Sequence, residues 1–399
     1  MTESAAGRVQ ISRAIWVLVG SALIVALGFG LVAPVLPQYA QSFDVGVAAA
    51  SAIVTIFGLT RLAFAPATGP LMVRFGERWI YIAGLSISAI SSLLCGFADS
   101  YWMLMGWRAF GGIGSVMFTV SAMGLMVRLA PPAARGRVSA LYGSAFLLGN
   151  ITGPLLGSLL ASFGFRMPFF IYAGMLLAAT LVVILFLRGV GGREPDTDAR
   201  PKYSFSEAVR EPVFRALLVT GFANGWTNFG VRIALIPLMA AAVPAIGTAM
   251  AGPALTVYAL GNAIAQQFTG RAVDALGRRP VLITGLLVSG LANLVFGWAS
   301  TIPVFLGLSA LAGVGASMIM PASQAMMADL IGSDRNGGSA LSGYSMSADL
   351  GSIGGTLLAG TIAQFLGFGW AFLVTGLVVI ASIAPWLRRS MATTPDETP

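Results

Sequence analysis

Gly69-Pro-Leu-Met-Val-Arg-Phe-Gly-Glu-Arg78 and Gly270-Arg-Ala-Val-Asp-Ala-Leu-Gly-Arg-Arg279 share their two glycines and a basic end, and each joins two long apolar runs. A second match, Ser139-Ala-Leu-Tyr-Gly143 against Ser339-Ala-Leu-Ser-Gly343, falls at the same spacing near 200 residues. Two matches at one period mark an internal duplication. Outward from these points, apolar segments occupy 14–38, 47–70, 79–98, 102–127, 138–162 and 167–188, then 213–241, 249–270, 280–299, 303–329, 338–365 and 368–387. Each is long enough to cross about 30 Å of hydrocarbon as a helix, a form that satisfies its own backbone groups there. The pattern predicts an all-α integral membrane protein with twelve transmembrane helices in two pseudo-symmetric bundles of six. The halves are read as 1–188 and 213–399, joined by a cytoplasmic linker loop over 189–212. Within and beyond that loop, Ser204 to Arg215 is expected to form a short amphipathic helix on the membrane surface.

Composition narrows the function classes. Of 399 residues, 57% are hydrophobic and 10% charged, far below the roughly 25% charge of soluble domains. The 50 glycines suit helices that approach closely in lipid. Histidine is absent, so proton chemistry falls to carboxylates and a histidine-ligated metal is excluded. The single Cys95 forms no intrachain disulfide. Neither a nucleophile's histidine base nor a phosphate-cradling Gly-Lys-Ser/Thr loop is present, so the chain is read as no enzyme, without cofactor or metal. Energy then comes from an ion gradient or from the substrate's own gradient.

The net charge of +8 would suit nucleic acid, but its distribution does not. With the N-terminus inside, 19 of the 23 Lys and Arg fall on the inner side, Arg166 alone lies outside, and Arg61, Arg108 and Arg232 lie within spans. By the positive-inside rule both termini are cytoplasmic. The expected partners are the bilayer of the cell's inner membrane, protons and a small-molecule substrate, with no nucleic acid, and the chain acting as a monomer. No cleavable signal is read in Met1 to Arg13.

Polar groups inside apolar spans carry the functional reading, because each costs several kcal/mol unless it is used or paired. Asp349, in Ser342-Gly-Tyr-Ser-Met-Ser-Ala-Asp349-Leu-Gly-Ser-Ile-Gly-Gly355, is the only carboxylate near mid-membrane. It is either a neutralised structural acid or a proton carrier or substrate counter-charge. Span 7 carries Asn224, Trp226, Asn228 and Arg232. The two asparagines are four apart on one helical face that Arg232 continues. That stripe lines a cavity or bonds neighbouring helices. Met117, Phe118, Phe146 and Met346 could build an adaptable apolar pocket, or could equally be ordinary packing.

The two decapeptides resemble the signature of the major facilitator superfamily between its helices 2 and 3, Gly-x-Leu-x-Asp-Arg-x-Gly-Arg-Arg/Lys. The N-half copy keeps Gly69, Leu71, Arg74, Gly76 and Arg78, with Val73 in place of Asp and Glu77 in place of a basic residue. The C-half copy keeps Gly270, Asp274, Gly277, Arg278 and Arg279. The glycines give a tight turn, and the charges either latch helix ends or simply anchor them at the inner surface. Gly149-Asn-Ile-Thr-Gly153-Pro154-Leu-Leu-Gly157 is similar to the antiporter signature of the drug:proton exporters in that superfamily, and Gly30-Leu-Val-Ala-Pro34-Val-Leu-Pro37 to their helix 1. Arg108-Ala-Phe-Gly111-Gly112 resembles the family's helix-4 Arg-x-x-Gln-Gly, where the arginine is linked to proton transfer; a snorkelling arginine is the alternative.

The resemblance implies two six-helix halves rocking about a central cavity lined by helices 1, 4, 7 and 10, with helices 2, 5, 8 and 11 at the seam. It implies proton-coupled export of small, lipophilic or drug-like molecules. Proton-coupled uptake of a nutrient and a non-transporting membrane receptor are the alternatives. Asp349 lies about 16 Å and Arg61 about 13 Å from the inner side by helical rise, so the family's pairing of helices 2 and 11 predicts an Asp349–Arg61 pair that gates that side.

Overall fold

A computed structural model describes residues 12–129, 135–187, 203–332, 335 and 337–387. All regular elements among them are helical, as a chain without water to bond its backbone requires. Span 1 runs Arg13–Val32 and, past a turn at Pro34, continues as Leu36–Gln41. Spans 2 to 6 are Val47–Phe75, Glu77–Gly96, Tyr101–Leu129, Arg135–Ala161 and Met167–Phe186. Span 7 comprises Pro212–Asn224, a wide π-helical turn Gly225–Val231, and Arg232–Ala242. Spans 8 to 12 are Ala251–Leu276, Arg278–Phe296, Ile302–Ile331, Gly338–Leu366 and Phe368–Ala381.

Nine of the described helices are long and apolar enough to cross a membrane. The remaining crossings are spans 7, 8 and 11: span 7 is divided into helices of 13 and 11 residues, each short of a full crossing, and spans 8 and 11 carry polar residues. Span 7 is interrupted by its π turn. Span 8 carries Asn262, Gln266 and Gln267, and span 11 carries Ser342, Ser345, Ser347 and Asp349. The polar side chains that depress the signal are on helices that meet the other half.

The duplication is visible in the packing. In the first half span 1 lies on spans 5 and 6, span 4 on spans 2 and 3, and span 3 on span 6. In the second half span 7 lies on spans 11 and 12, span 10 on spans 8 and 9, and span 9 on span 12. The repeated decapeptide makes the same turn twice: Gly76 has φ +83° and Gly277 φ +86°, with ψ near extended values, a region open essentially to glycine alone. Gly164 and Gly367, between spans 5 and 6 and spans 11 and 12, form a second matching pair at φ +114° and +93°.

The seam joins span 2 to span 11 and span 5 to span 8. Its hydrogen bonds among the described residues all lie toward the face opposite the 2–3 turn. Thr55 and Thr356 hydroxyls meet at 2.5 Å, Ala48 N–H donates to Gln364 Oε1 at 2.9 Å, and Gln38 Nε2 donates to the Pro237 carbonyl at 3.4 Å. Gly252 N–H donates to Ser158 Oγ at 2.8 Å, and Thr256 Oγ1 to the Ile151 carbonyl at 3.0 Å. Toward the 2–3 turn, Gly69, Gly143 and Gly270 face open space. The described hydrogen bonds between the halves are thus gathered at one face, which they hold closed.

One expected element is shorter than its pattern. The amphipathic helix over 204–215 is confined to Phe205–Ala208 and followed by a turn. Pro212 is the reason: it has no N–H to donate, so it opens span 7 instead of continuing a helix. The short turn is closed by a reciprocal Ser204–Glu207 cap, whose Ser204 donors hold the Glu207 carboxyl below its usual range. The expected linker from 189 to 202 lies outside the described residues.

Candidate functional site

Span 7 supplies the most polar stretch of buried helix in the second half. In its π turn the ladder is widened, an arrangement frequent at functional sites. Asn228 Nδ2 donates to Asn224 Oδ1 at 2.5 Å, and Tyr258 of span 8 donates its hydroxyl to Asn228 Oδ1 at 3.1 Å. The Arg232 guanidinium stacks over the Tyr258 ring, 3.1 Å from its centroid. Asn224, Asn228, Tyr258 and Arg232 thus form one continuous polar line rising toward the closed face. Behind Arg232 is a cavity of ≈ 10 Å³ bordered by Thr227, Tyr258, Asn293 and Ser309, room for about one water. Arg232 Nη2 is buried there without a hydrogen-bond partner.

Trp226, expected on the same stripe, is not part of it. The tryptophan is buried, donates Nε1 to Thr375 Oγ1 of span 12 at 3.2 Å, and lies against Gly355 of span 11. Two residues from either asparagine, it lies on the opposite side of the helix, in the core of its own half. Met117 is likewise buried between spans 3 and 4. It borders a groove of ≈ 550 Å³ walled by Leu71, Phe75, Trp79, Ile80 and Ala83 rather than the polar line. Phe146 is half-buried against Tyr142 at 5.1 Å between ring centroids, and Met346 is exposed on span 11.

The three intramembrane arginines are handled differently. Arg108 does not snorkel. It is buried, its guanidinium lies over the Phe57 ring at 4.4 Å, and its Nε has no partner. Arg61 donates Nη1 to Ser115 Oγ of span 4 at 2.5 Å. Asp349 is half-buried on the facing helix within electrostatic reach of Arg61, but no salt bridge joins them in this conformation. The two charges lie on helices that meet across the seam.

The glycine signatures have clear packing roles. A side chain on Gly149 would meet Ala26 Cβ at 2.5 Å, one on Gly153 would meet the Leu27 carbonyl at 2.6 Å, and one on Gly157 would strike Leu31 of span 1. A side chain on Gly30 would meet Pro154 Cδ at 2.9 Å. The other face of the same stretch presents Ile151, Pro154 and Ser158 to span 8 across the seam. This segment therefore touches its own half and the other at once. In the second half span 11 repeats the arrangement, with Gly351 and Gly355 against Phe222 and Trp226 of span 7.

At the repeated turns, Arg78 donates Nη2 to the Ile184 carbonyl of span 6 at 3.0 Å, and Arg74 lies over the Phe75 ring at 5.3 Å. Arg278 pairs with Asp329 at the end of span 10 and donates to the Ala325 carbonyl at 3.2 Å. These latches act within each half. Sequence reasoning missed Tyr258, Ser115, Asn293, Ser309 and the Thr55–Thr356 contact. Each is a lone polar residue in an apolar run; Asn293 and Ser309 bond carbonyls of their own helices, and only tertiary packing sets them beside Arg232 and brings Tyr258, Ser115 and the Thr55–Thr356 pair to partners on other helices.

Two duplicated six-helix bundles, joined along a seam that is closed on one face and holding three arginines at membrane depth, define a membrane transporter fold. The family model for the Major Facilitator Superfamily matches residues 18–245 and 217–399, and the chain belongs to that superfamily. It is similar to the tetracycline resistance protein, class G, of Vibrio anguillarum, 28% identical over 92% of this chain and 95% of the relative. It is also similar to the class C protein of Escherichia coli, 26% identical over 95% and 97%. Among solved structures, a POT family transporter in complex with a thioalcohol-conjugated peptide superposes with TM-score 0.81 at 12% identity, covering 95% of this chain and 96% of that one. The human organic anion transporter MFSD10 gives TM-score 0.68 at 18% identity, covering 94% and 99%.

Proposed function

We propose that this transporter exports small, lipophilic molecules across the cytoplasmic membrane in exchange for protons, by alternating access. The observation that carries the reading is the Gly149–Gly157 segment, whose glycine face is used in full against span 1 while its Pro154 and Ser158 face meets span 8. A stretch held so tightly on both sides couples span 1 of one half to the seam. Tetracycline and multidrug resistance proteins among its relatives support export as the direction. The halves, 1–188 and 213–399, move as units joined by 189–212, with the termini in the cytoplasm and one copy of the chain sufficing.

In this reading the face opposite the closed one is cytoplasmic and the structure is inward-facing. Asp349 is the proton carrier. Ionised, it draws Arg61 from Ser115 and closes the inner face; protonated, it releases it. Arg108 biases the N-half by its fixed charge, since an arginine does not itself release a proton. Asn224, Asn228 and Arg232 border the substrate path, with Phe146 and Met346 as apolar contacts. The test is accumulation of lipophilic probes in cells that express the chain, with and without a protonophore. Export lowers accumulation until the protonophore restores it. Equal accumulation with and without expression, across a broad probe panel, overturns the reading.

A further inference from the structure

Away from their ends the spans hold three arginines and one aspartate, and that imbalance has a place. Arg61 faces Asp349, and Arg108 is enclosed within the first half over Phe57. Arg232 is left: half-buried, stacked on Tyr258, with Nη2 free of any partner and no salt bridge among the described residues. A guanidinium withdrawn from water without a counter-charge is costly, and polar residues at membrane depth are kept where function uses them.

We propose that the transported molecule carries an anionic group, a carboxylate or an equally delocalised oxyanion, and that Arg232 receives it. The guanidinium fork matches the two oxygens of such a group in a way that an ammonium does not. Its neighbours complete the selectivity. Asn228 and Asn224 offer amide groups to the polar part of the molecule, and Phe229, exposed on the same π turn, offers an apolar face. The pocket behind Arg232 is too small for a carboxylate and fits one water. That water can accept from Nη2 and donate to Thr227 or Ser309, holding the fork in place. The opposite edge of the guanidinium is the one that meets the ligand. Span 7 touches the end of span 1 and span 2 of the other half beyond this level, where Gln38 bonds the Pro237 carbonyl, so Arg232 stands just inside the contacts that close the seam.

This deepens the export reading and rests on it only for the direction of movement. If a monoanion leaves as one proton enters, each cycle carries two charges inward, so the membrane potential as well as the pH gradient drives export.

The test uses the full chain, purified, and a lipophilic aromatic dye as its free carboxylate and as its methyl ester. Binding is read by tryptophan fluorescence quenching. The wild type is expected to bind the acid roughly tenfold or more tightly than the ester, the scale of one charged hydrogen bond. Arg232→Gln is expected to bind both equally, and Arg232→Lys to keep part of the preference while showing the wild-type melting temperature. Equal affinity of the wild type for both dyes, or binding of neither, overturns the proposal. In proteoliposomes, acid that binds selectively but does not move against a proton gradient would overturn export and leave the anion site standing.

Discussion

Replacing Gly252 by alanine tests whether the closed face is held by seam packing. Gly252 opens span 8, and its N–H donates to Ser158 Oγ at 2.8 Å. A methyl group there would lie 2.7 Å from Ser158 Cβ and inside the contact distance of Ser158 Oγ and the Pro154 carbonyl. Span 5 has little room to retreat, because Pro154 is pressed from behind by Gly30 of span 1. Overpacking of this kind costs about 1–3 kcal/mol, and the strained hydrogen bond adds about 1 kcal/mol. The contact crosses the seam, so the cost falls on the conformation with this face closed and not on the folding of either half. At 1.4 kcal/mol per decade, roughly 2–4 kcal/mol moves the equilibrium by about 30- to 700-fold toward the alternative conformation. Spin labels at Asp44→Cys and Thr248→Cys, both exposed at that face, in a Cys95→Ser background, report the change as a growing long-distance population. Gly20→Ala, where a methyl group meets nothing within 4 Å, is the control. An unchanged distance distribution for Gly252→Ala would refute the reasoning.

Asp349→Asn is expected to abolish proton-driven transport while leaving substrate exchange at equilibrium intact, measured as counterflow in proteoliposomes; driven transport at the wild-type rate contradicts the carrier role. Gly76→Ala and Gly277→Ala each force a side chain into a glycine-only backbone region and are expected to cost about 1–3 kcal/mol, read as lowered melting temperatures. Equal melting temperatures for these variants and the wild type would show the turns to be unstrained. Arg278→Ala removes a half-exposed ion pair with Asp329 and is expected to cost less than about 1 kcal/mol, the loss shrinking further at high salt.

Much of the architecture could be read from the chain because hydrocarbon leaves few options. The twelve apolar runs fall on the twelve crossings, and the repeated decapeptide fixes the duplication, since Gly76 and Gly277 must both adopt a conformation that other residues avoid. The tight face of span 5 was legible for the same reason: Gly149, Gly153 and Gly157 leave no side chain to keep span 1 away. The candidate site was less legible. Asn224, Asn228 and Arg232 were visible as a stripe at helical spacing, whereas Trp226, two residues from either asparagine, faces the core. A seven-residue widening of the helix leaves no mark in hydropathy. Tyr258 could not be found without the fold, because the Asn228 it bonds is 30 positions away on another helix. The Arg61–Asp349 approach was read from depth and from the family's pairing of helices 2 and 11, and neither reports which conformation closes it.

In the proposed export, proton entry through this chain drives substrate outward. Its most direct measurement places the purified protein in proteoliposomes, imposes a pH gradient across an otherwise undriven membrane, and follows internal pH and substrate together. Substrate is expected to move opposite to protons, to stop when a protonophore collapses the gradient, and not to move in Asp349→Asn. Substrate moving with the protons, or moving unchanged once the gradient is gone, would contradict it.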